Sequence, residues 1–275
     1  MIIDRYYLKQ LNLSDYIINI VEKMISQNIQ EYCEYADDLI DINKAEQTFV
    51  KIKEKYIADD KCFNILCIYL LSSLKTLMKY KELNISEKVF FDTMGCFSRF
   101  IKECKVMNNE EYFDRDFWVY RQLSLKLFRI GELEYELMND DGVKSISVHI
   151  PSDAILSNDR INSSLKEMYA FIEMFYPDYV NCLVYCDSWL LSPKIKNYLN
   201  NNSRILLFQE YFEIIKVDYE SNEGIRWLFQ INTDNSFDYQ SLKEETSLQR
   251  LLKKELLNGN AIGSAYGKLK VLHLV

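Results

Sequence analysis

Two glutamates and one of the chain's two histidines have the types and spacing of an acid–base site. Glu132 and Glu134 lie two residues apart, and His149 follows after a polar turn at Asp141-Gly142. A carboxylate beside an imidazole orients the ring and raises its affinity for a proton, which suits the removal of a proton from a substrate. An acid–histidine pair is also an ordinary structural contact between strands, so both interpretations are open.

The segment that carries these residues alternates apolar and polar side chains, which predicts two antiparallel strands. Residues 128–150 read FRIGELEYELMNDDGVKSISVHI. The Asp-Gly pair suits a two-residue type I′ turn, because both positions need a positive φ. With that turn Leu137 opposes Ile146 and Glu134 opposes His149, so the acid and the histidine share the polar face. Opposed Cβ atoms lie roughly 5 Å apart, within reach of a side-chain hydrogen bond.

Three further features have both a structural and a functional interpretation. The parity of apolar residues shifts at Gly131, which predicts a β-bulge, and bulges often re-aim side chains beside active sites. Cys186 ends an apolar strand, where it is either a thiol nucleophile with His149 as its base or, more simply, a core cysteine. The run GNAIGSAYG at residues 259–267 follows a helix and is predicted to be a helix end and turn instead of a phosphate loop.

The composition predicts a globular protein without a nucleic-acid or membrane partner. The chain has 275 residues, 48% of them hydrophobic, with only 7 Gly and 3 Pro, which suits two ordinary domains. A net charge of −8 opposes binding to nucleic acid or to an anionic membrane. No apolar run reaches the ~18 residues of a membrane span. Seven scattered cysteines, an odd number, indicate reduced thiols in a cytoplasmic protein, and their spacing predicts no metal site.

The first part of the chain keeps a helical period. Ser14 is a predicted N-cap, and Ser86 begins a second amphipathic segment. Between them FNILCIYLLSSL, residues 63–74, is apolar on every side, as expected of a helix at the centre of a bundle. The polar stretch at 107–116 is the natural boundary. We therefore expect an all-helical domain over residues 1–112.

After this boundary the pattern becomes mixed, so residues 113–275 form a second predicted domain. A short helix near 118–125 precedes the hairpin, and an amphipathic helix follows at 160–176. Thr246 and Gln249 match a capping box, which predicts a helix that ends at Gly259. The other predicted elements are strands near 182–186, 205–208, 212–219, 225–231 and 269–274, and a helix near 192–199.

Four segments of the second domain resemble a known family. They are FWVYRQLSLKLFRIGELEYE at 117–136, HIPSDA at 149–154, CDSWLLSP at 186–193 and TSLQRLLKKELLNG at 246–259. They are similar to an uncharacterised bacterial family of acyltransferases, with a helical N-terminal domain and a C-terminal domain similar to the GNAT superfamily of N-acyltransferases. The resemblance implies an α+β fold in which an all-helical N-terminal domain precedes a GNAT-like mixed β-sheet domain flanked by helices.

The resemblance also implies an acyl-CoA cosubstrate, either acetyl-CoA or another acyl-CoA. In such a domain the loop between the hairpin and the next helix faces the pyrophosphate, and the helix amides bind it. The corresponding loop of this chain, SDAILSNDR, contains no glycine. The expected cofactor-binding residues are Ser152, Asp153, Ala154 and Arg160.

The activity implied is direct transfer of an acyl group to an amine of a small molecule or peptide. Glu132 or Glu134 is the expected base, and His149 is expected to assist. Tyr185 or Ser188 is a candidate for protonating the leaving thiolate. The alternative is a non-catalytic GNAT-like binding or scaffold protein that has lost the cofactor loop.

Overall fold

The computed structural model describes residues 3–231, 233 and 237–270. Its contacts divide the chain into two compact units, Met1–Ile130 and Gly131–Val275. The predicted domain boundary at residues 112/113 falls inside the first unit. The α+β class and the order of the two parts agree with the sequence prediction.

The first unit is helical. Its described elements are α1 Arg5–Gln10, α2 Asp15–Cys33, α3 Ala36–Leu39, α4 Ala45–Lys55, α5 Phe63–Glu82, α6 Glu87–Met94, α7 Cys96–Asn108 and α8 Asp116–Leu123, followed by the strand β1 Leu127–Ile130.

Local capping and one apolar helix organise this unit. The Ser14 hydroxyl accepts a hydrogen bond from the Ile17 amide at the start of α2, and Ser86 does the same for the Val89 amide at α6. Both predicted N-caps are therefore confirmed. Helix α5 is buried from Ile65 through Ser73 and packs against α2, α3, α6 and α8. The helix that is apolar on every side thus lies at the centre of the bundle, because each of its faces must be removed from water.

The second unit is built on a mixed sheet. The strands are β2 Leu133–Asp140, β3 Val143–His149, β4 Leu183–Ser188, β5 Phe212–Asp218 and β6 Ser264–Leu269. The helices are α9 Asn158–Phe175, α10 Arg204–Gln209, α11 Gly224–Phe229 and α12 Ser247–Leu257, with 3₁₀ turns at Pro177–Tyr179, Trp189–Leu191, Pro193–Tyr198 and Tyr239–Ser241.

The strands of this unit lie in the order β2-β3-β4-β6-β5. Strands β3 and β4 are parallel, whereas β2 with β3, β4 with β6, and β5 with β6 are antiparallel. The parallel pair is joined by α9, as a parallel connection requires. One face of the sheet is apolar, and the other carries Glu134, Glu136 and His149.

The hairpin forms in the predicted register. Asp141 and Gly142 have φ of 50° and 89°, as a type I′ turn requires. Leu137 opposes Ile146, and Glu134 opposes His149.

The predicted bulge at Gly131 is wrong. Strand β1 ends at Ile130 and β2 begins at Leu133, so Gly131 and Glu132 form a turn between two strands. Gly131 has a φ of +63°, and a Cβ atom on it would lie 2.9 Å from Cβ of Ser164. The parity shift therefore marks a turn at which a glycine is needed both for its backbone conformation and for the close approach of α9.

Two predicted strands are helices. Residues 205–208 lie in α10, where the Ser203 hydroxyl accepts from the Ile205 amide, and most of 225–231 lies in α11. Short apolar runs do not distinguish a strand from a buried helical turn, and tertiary packing decides. Ile225 and Phe229 are one helical turn apart and join a single apolar cluster with α12.

The other predicted elements of this unit agree more closely with the structure. The strand at 212–219 and the Thr246 capping box are confirmed. The last strand begins at Ser264, earlier than predicted, and residues 271–274 of that prediction lie outside the described residues. Within the described part of the chain, no helix combines the length and apolar character that crossing a bilayer requires.

Candidate active site

The parallel strands β3 and β4 separate toward their C-terminal ends. Their last paired residues are Ser147 and Tyr185, although β3 continues to His149 and β4 continues to Ser188. Beyond this point β4 remains paired with β6 on its other side. Neighbouring parallel strands that diverge at their carboxyl ends leave an opening in the sheet, and such openings are the usual ligand sites of open α/β sheets.

His149 ends β3 at this opening, and its ring contacts a buried carboxylate. Nε2 of His149 lies 3.0 Å from Oε2 of Glu136. Glu134 opposes His149 along the backbone as predicted, and Glu136 is its diagonal neighbour on the same face. Diagonal neighbours on a strand pair are within reach of long side chains. Glu136 is therefore the carboxylate hydrogen-bonded to the imidazole.

Glu136 is not among the residues predicted from the sequence, although the sequence contains a signal for it. It shares the strand parity of Glu134, so the same register that brings Glu134 opposite His149 places Glu136 on the same polar face. The strand register alone does not determine whether the Glu134 or the Glu136 carboxylate hydrogen-bonds to the His149 ring, because that contact depends on the direction of each side chain.

Burial strengthens this contact. Glu134 and Glu136 are 2% and 4% exposed, whereas the His149 side chain is 25% exposed. Screening by water is weak around a buried carboxylate, so a hydrogen bond from an imidazole to Glu136 is stronger than the same bond at the surface. In the tautomer with its hydrogen on Nε2, the ring donates to Glu136, and Nδ1 carries the lone pair. The arrangement is an imidazole hydrogen-bonded to a buried carboxylate.

Glu132 makes a different set of contacts. One carboxylate oxygen accepts from the Ile155 amide at 2.8 Å, and the other accepts from Nη1 of Arg160 at 2.7 Å. One oxygen therefore binds the segment that joins β3 to α9, and the other binds the first turn of α9. This geometry makes Glu132 an anchor of the loop.

The predicted cofactor loop forms a tight turn. The Ala154 amide donates to the Pro151 carbonyl at 3.0 Å, so this amide is used within the loop. Ser152 and Asp153 are exposed beside it. The Ala154 and Ile155 amides are therefore both engaged in hydrogen bonds within the protein.

The start of α9 has the features of an anion site. Ser157 is its N-cap, yet its side chain makes no capping hydrogen bond, and the first helical amides have no partner within the helix. Arg160 lies in this first turn with 54% of its side chain exposed. Only its Nη1 is held by Glu132, and its other N–H groups have no partner among the described residues. The helix amides and Arg160 together can bind a phosphate.

Cys186 does not fit the role of a nucleophile. It is 1% exposed, and burial raises the pKa of its thiol, with the nearby Asp187 charge acting in the same direction. Cys186 is also adjacent in sequence to Tyr185, so it points to the opposite face of the sheet from Tyr185 and Ser147. A neutral, buried thiol is the core cysteine of the simpler interpretation.

The fold and the site define a two-part protein with a helical unit and a mixed sheet that opens between its parallel strands. A family model described as a GNAT-like C-terminal domain matches residues 127–269, more than half of the chain, and one described as an N-acyltransferase N-terminal domain matches residues 7–125. The chain therefore belongs to the family with this GNAT-like C-terminal domain. This confirms the resemblance drawn from the sequence.

Solved structures share the fold. An acyltransferase in complex with decanoyl-CoA and teicoplanin is 18% identical, with a TM-score of 0.70. An acyltransferase in complex with decanoyl-CoA is 20% identical, with a TM-score of 0.69. Both matches cover 76% of this chain, and the chain spans 66% of the length of each of those structures. A search of the curated proteins gave no match.

Proposed function

We propose that the chain is an acyl-CoA-dependent N-acyltransferase that transfers its acyl group directly to an amine of a small molecule or peptide. The observation that carries this proposal is the divergence of β3 and β4, with a carboxylate-held His149 at the end of β3 and the start of α9 beyond it. The acyl-CoA complexes of the structures that share the fold support the same cosubstrate.

The described residues fit an acyl-CoA in two places. Beyond Ser147 and Tyr185, the facing edges of β3 and β4 are not paired with each other, so an extended amide chain can hydrogen-bond there as an added strand does. The first-turn amides of α9 and the remaining donors of Arg160 suit the pyrophosphate. The absence of glycine from residues 152–160 means that helix amides and Arg160 supply this contact.

The proposed chemistry needs one base and no covalent enzyme intermediate. His149 takes one proton from the protonated amine, and the neutral nitrogen then bonds to the thioester carbonyl carbon. The C–S bond breaks, and the CoA thiolate takes up the second proton that the nitrogen loses. Glu136 stabilises the imidazolium that forms. Glu134, buried and opposite His149, is the alternative base, and we assign Glu132 to holding the loop.

The first test is calorimetric titration with acetyl-CoA and decanoyl-CoA. We expect saturable binding with Kd in the micromolar range. The Arg160→Gln variant should bind roughly tenfold more weakly, since it loses a charge-assisted contact. Lys166→Gln is the matched control, because it removes one exposed positive charge from the same helix. Absence of binding at millimolar ligand in the wild type would overturn the proposal and leave the non-catalytic scaffold.

The second test follows CoA release with a thiol reagent, using a panel of primary amines as acceptors. His149→Gln should lower kcat by about 10²–10⁴, the usual range for a general base, while the Kd for acyl-CoA stays unchanged. Asp141→Asn, at the far end of the hairpin, is the control and should retain full activity. Full turnover by His149→Gln would remove His149 from the chemistry and return the role of base to Glu134.

A further inference from the structure

An aromatic pair lies beside an exposed carboxylate on the polar face of the sheet. The rings of Tyr185 on β4 and Tyr266 on β6 are stacked, with centroids 4.9 Å apart and planes at 28°. Asp187 directly opposes Tyr266 across the β4–β6 ladder. Tyr185 in turn opposes Ser147 on β3, and strand alternation puts these side chains on the same face as His149.

The carboxylate of Asp187 has no hydrogen bond or ion pair with any residue in the described part of the chain. It is exposed, and it lies two residues beyond Tyr185, in the part of β4 that has separated from β3. Its charge acts on the neighbouring ring. The pKa of the Tyr266 hydroxyl is raised by burial, then by the electrostatic effect of Tyr185, and then by that of Asp187. The strand opening therefore contains an available negative charge flanked by aromatic surface.

We propose that Asp187, with the stacked rings of Tyr185 and Tyr266, binds the ammonium group of the acceptor, so that the acceptors are organic cations with an apolar or aromatic body. A carboxylate gives a charge-assisted hydrogen bond to an ammonium, and the faces of tyrosine rings attract cations within about 6 Å. This inference rests on the proposed function, since it identifies the chemical class of the acceptor. Alkylamines, like the lysine side chain, have a pKa near 10.4 and arrive protonated at neutral pH.

Two features separate this arrangement from an ordinary solvated aspartate. Lys268 on β6 opposes Tyr185 and is the diagonal neighbour of Asp187, yet it forms no ion pair with Asp187, and neither does Lys216, which opposes Tyr266 on β5. The charge is therefore not neutralised by either of the lysines that share its face of the sheet. The stacked cross-strand pair, besides its ordinary contribution to sheet stability, also places ring surface beside this carboxylate.

The test uses 2-phenylethylammonium as the cationic probe and 2-phenylethanol as its neutral analogue, with binding to the full chain followed by NMR titration. We expect saturable binding of the cation by the wild type. Asp187→Asn should weaken it roughly tenfold, the loss of one hydrogen bond to a charged group. The alcohol should bind weakly and equally to both proteins. Asp141→Asn is the matched control, because it removes the same charge at a turn position that suits Asn, and it should bind as the wild type does.

A second variant tests the aromatic part. Tyr266→Leu keeps an apolar side chain but removes the ring, and it should weaken binding of the cation by roughly three- to fivefold, as expected of a cation–π contact at an exposed site. Equal affinity of Asp187→Asn and the wild type for the cation, or no saturable binding by the wild type up to about 50 mM, would overturn the proposal.

Titration of the same samples with decanoyl-CoA separates this inference from the proposed function. Asp187→Asn should leave the Kd for decanoyl-CoA unchanged, because the acyl-CoA contact proposed for this part of β4 uses backbone groups, whereas the substitution alters only a side chain. Loss of cation binding in this variant, together with no acyl-CoA binding by any protein, would retain the ammonium subsite and overturn the transferase. Acyl-CoA binding with equal cation affinity in all variants would retain the transferase and overturn the subsite.

Discussion

Replacing Gly131 with alanine should destabilise the second unit by more than a conformational penalty alone. Gly131 has a φ of +63°, and an added Cβ would lie 2.9 Å from Cβ, 3.1 Å from Cα and 3.2 Å from Oγ of Ser164. Ser164 is fully buried in α9, and its hydroxyl contacts the Leu133 amide at 3.3 Å and the Tyr135 hydroxyl at 2.8 Å. The serine therefore has little freedom to move away.

The magnitude has two parts. A non-glycine residue in the left-handed region costs about 1–2 kcal/mol. Forcing one extra carbon into a packed contact costs about 1–3 kcal/mol more. Gly142 has a φ of +89° and nothing within 4 Å of an added Cβ, so Gly142→Ala has only the conformational cost of the left-handed backbone. We expect a loss of about 2–5 kcal/mol for Gly131→Ala and about 1–2 kcal/mol for Gly142→Ala.

The assay is urea unfolding followed by tryptophan fluorescence. Trp189 and Trp227 lie in the second unit and Trp118 in the first, so a Trp118→Phe background makes the signal specific for the second unit. Both glycine variants are made in that background, and the difference between their midpoints measures the contact with Ser164. If both variants lost the same free energy of unfolding, the close approach of Gly131 to Ser164 would not contribute. The positive φ of Gly131 would then explain the whole effect.

Three further predictions concern single contacts. Glu132→Gln removes the charge that holds Arg160 and the Ile155 amide, so amide exchange of the 151–157 loop should accelerate while the hairpin stays protected; unchanged exchange would argue against the anchor. Lys194 donates to the Tyr219 carbonyl at 2.8 Å and to the Ala261 carbonyl at 3.0 Å. Lys194→Met should therefore lower the free energy of unfolding by about 1–3 kcal/mol. Lys196→Met removes the same charge from the same turn and should leave the free energy of unfolding unchanged. Hydrogen bonds from Lys105, and to a smaller extent from Ser14, lower the pKa of Glu111. A carboxyl group whose pKa is lower in the folded protein than in the unfolded chain stabilises the fold at pH values above its ordinary pKa. This stabilisation is lost as the pH falls through the pKa of the folded state. Glu111→Gln should therefore destabilise the first unit by about 1 kcal/mol at pH 7 and by much less at pH 3, as measured by urea unfolding at both values; an equal loss at both would contradict the charge argument.

Several parts of this molecule follow from the sequence because their signals are local. The Asp141-Gly142 turn and the alternation around it determine the register of β2 and β3 within some twenty residues. The hydroxyl of Ser14 and the capping box at Thr246 begin their helices through contacts three residues away. The resemblance identified the family and the α+β class, and most of the residues that carry it lie within 127–269, the range that the family model matches.

Other parts depended on residues far apart in the chain. The short apolar runs at 205–208 and 225–231 became helices because packing against distant elements, not their own pattern, decides their conformation. Asp187 meets Tyr266 only because β6 pairs with β4 across almost eighty residues.

The candidate site shows the same division within a single hairpin. The sequence by itself determined that His149 shares a strand face with glutamates, because strand alternation has a period of two residues. Only the tertiary structure decided that Glu136 receives the imidazole and that Glu132 holds the loop, because side-chain directions depend on what packs around them. The opening beside His149 likewise comes from the divergence of β3 and β4, a property of the assembled sheet and of no single segment.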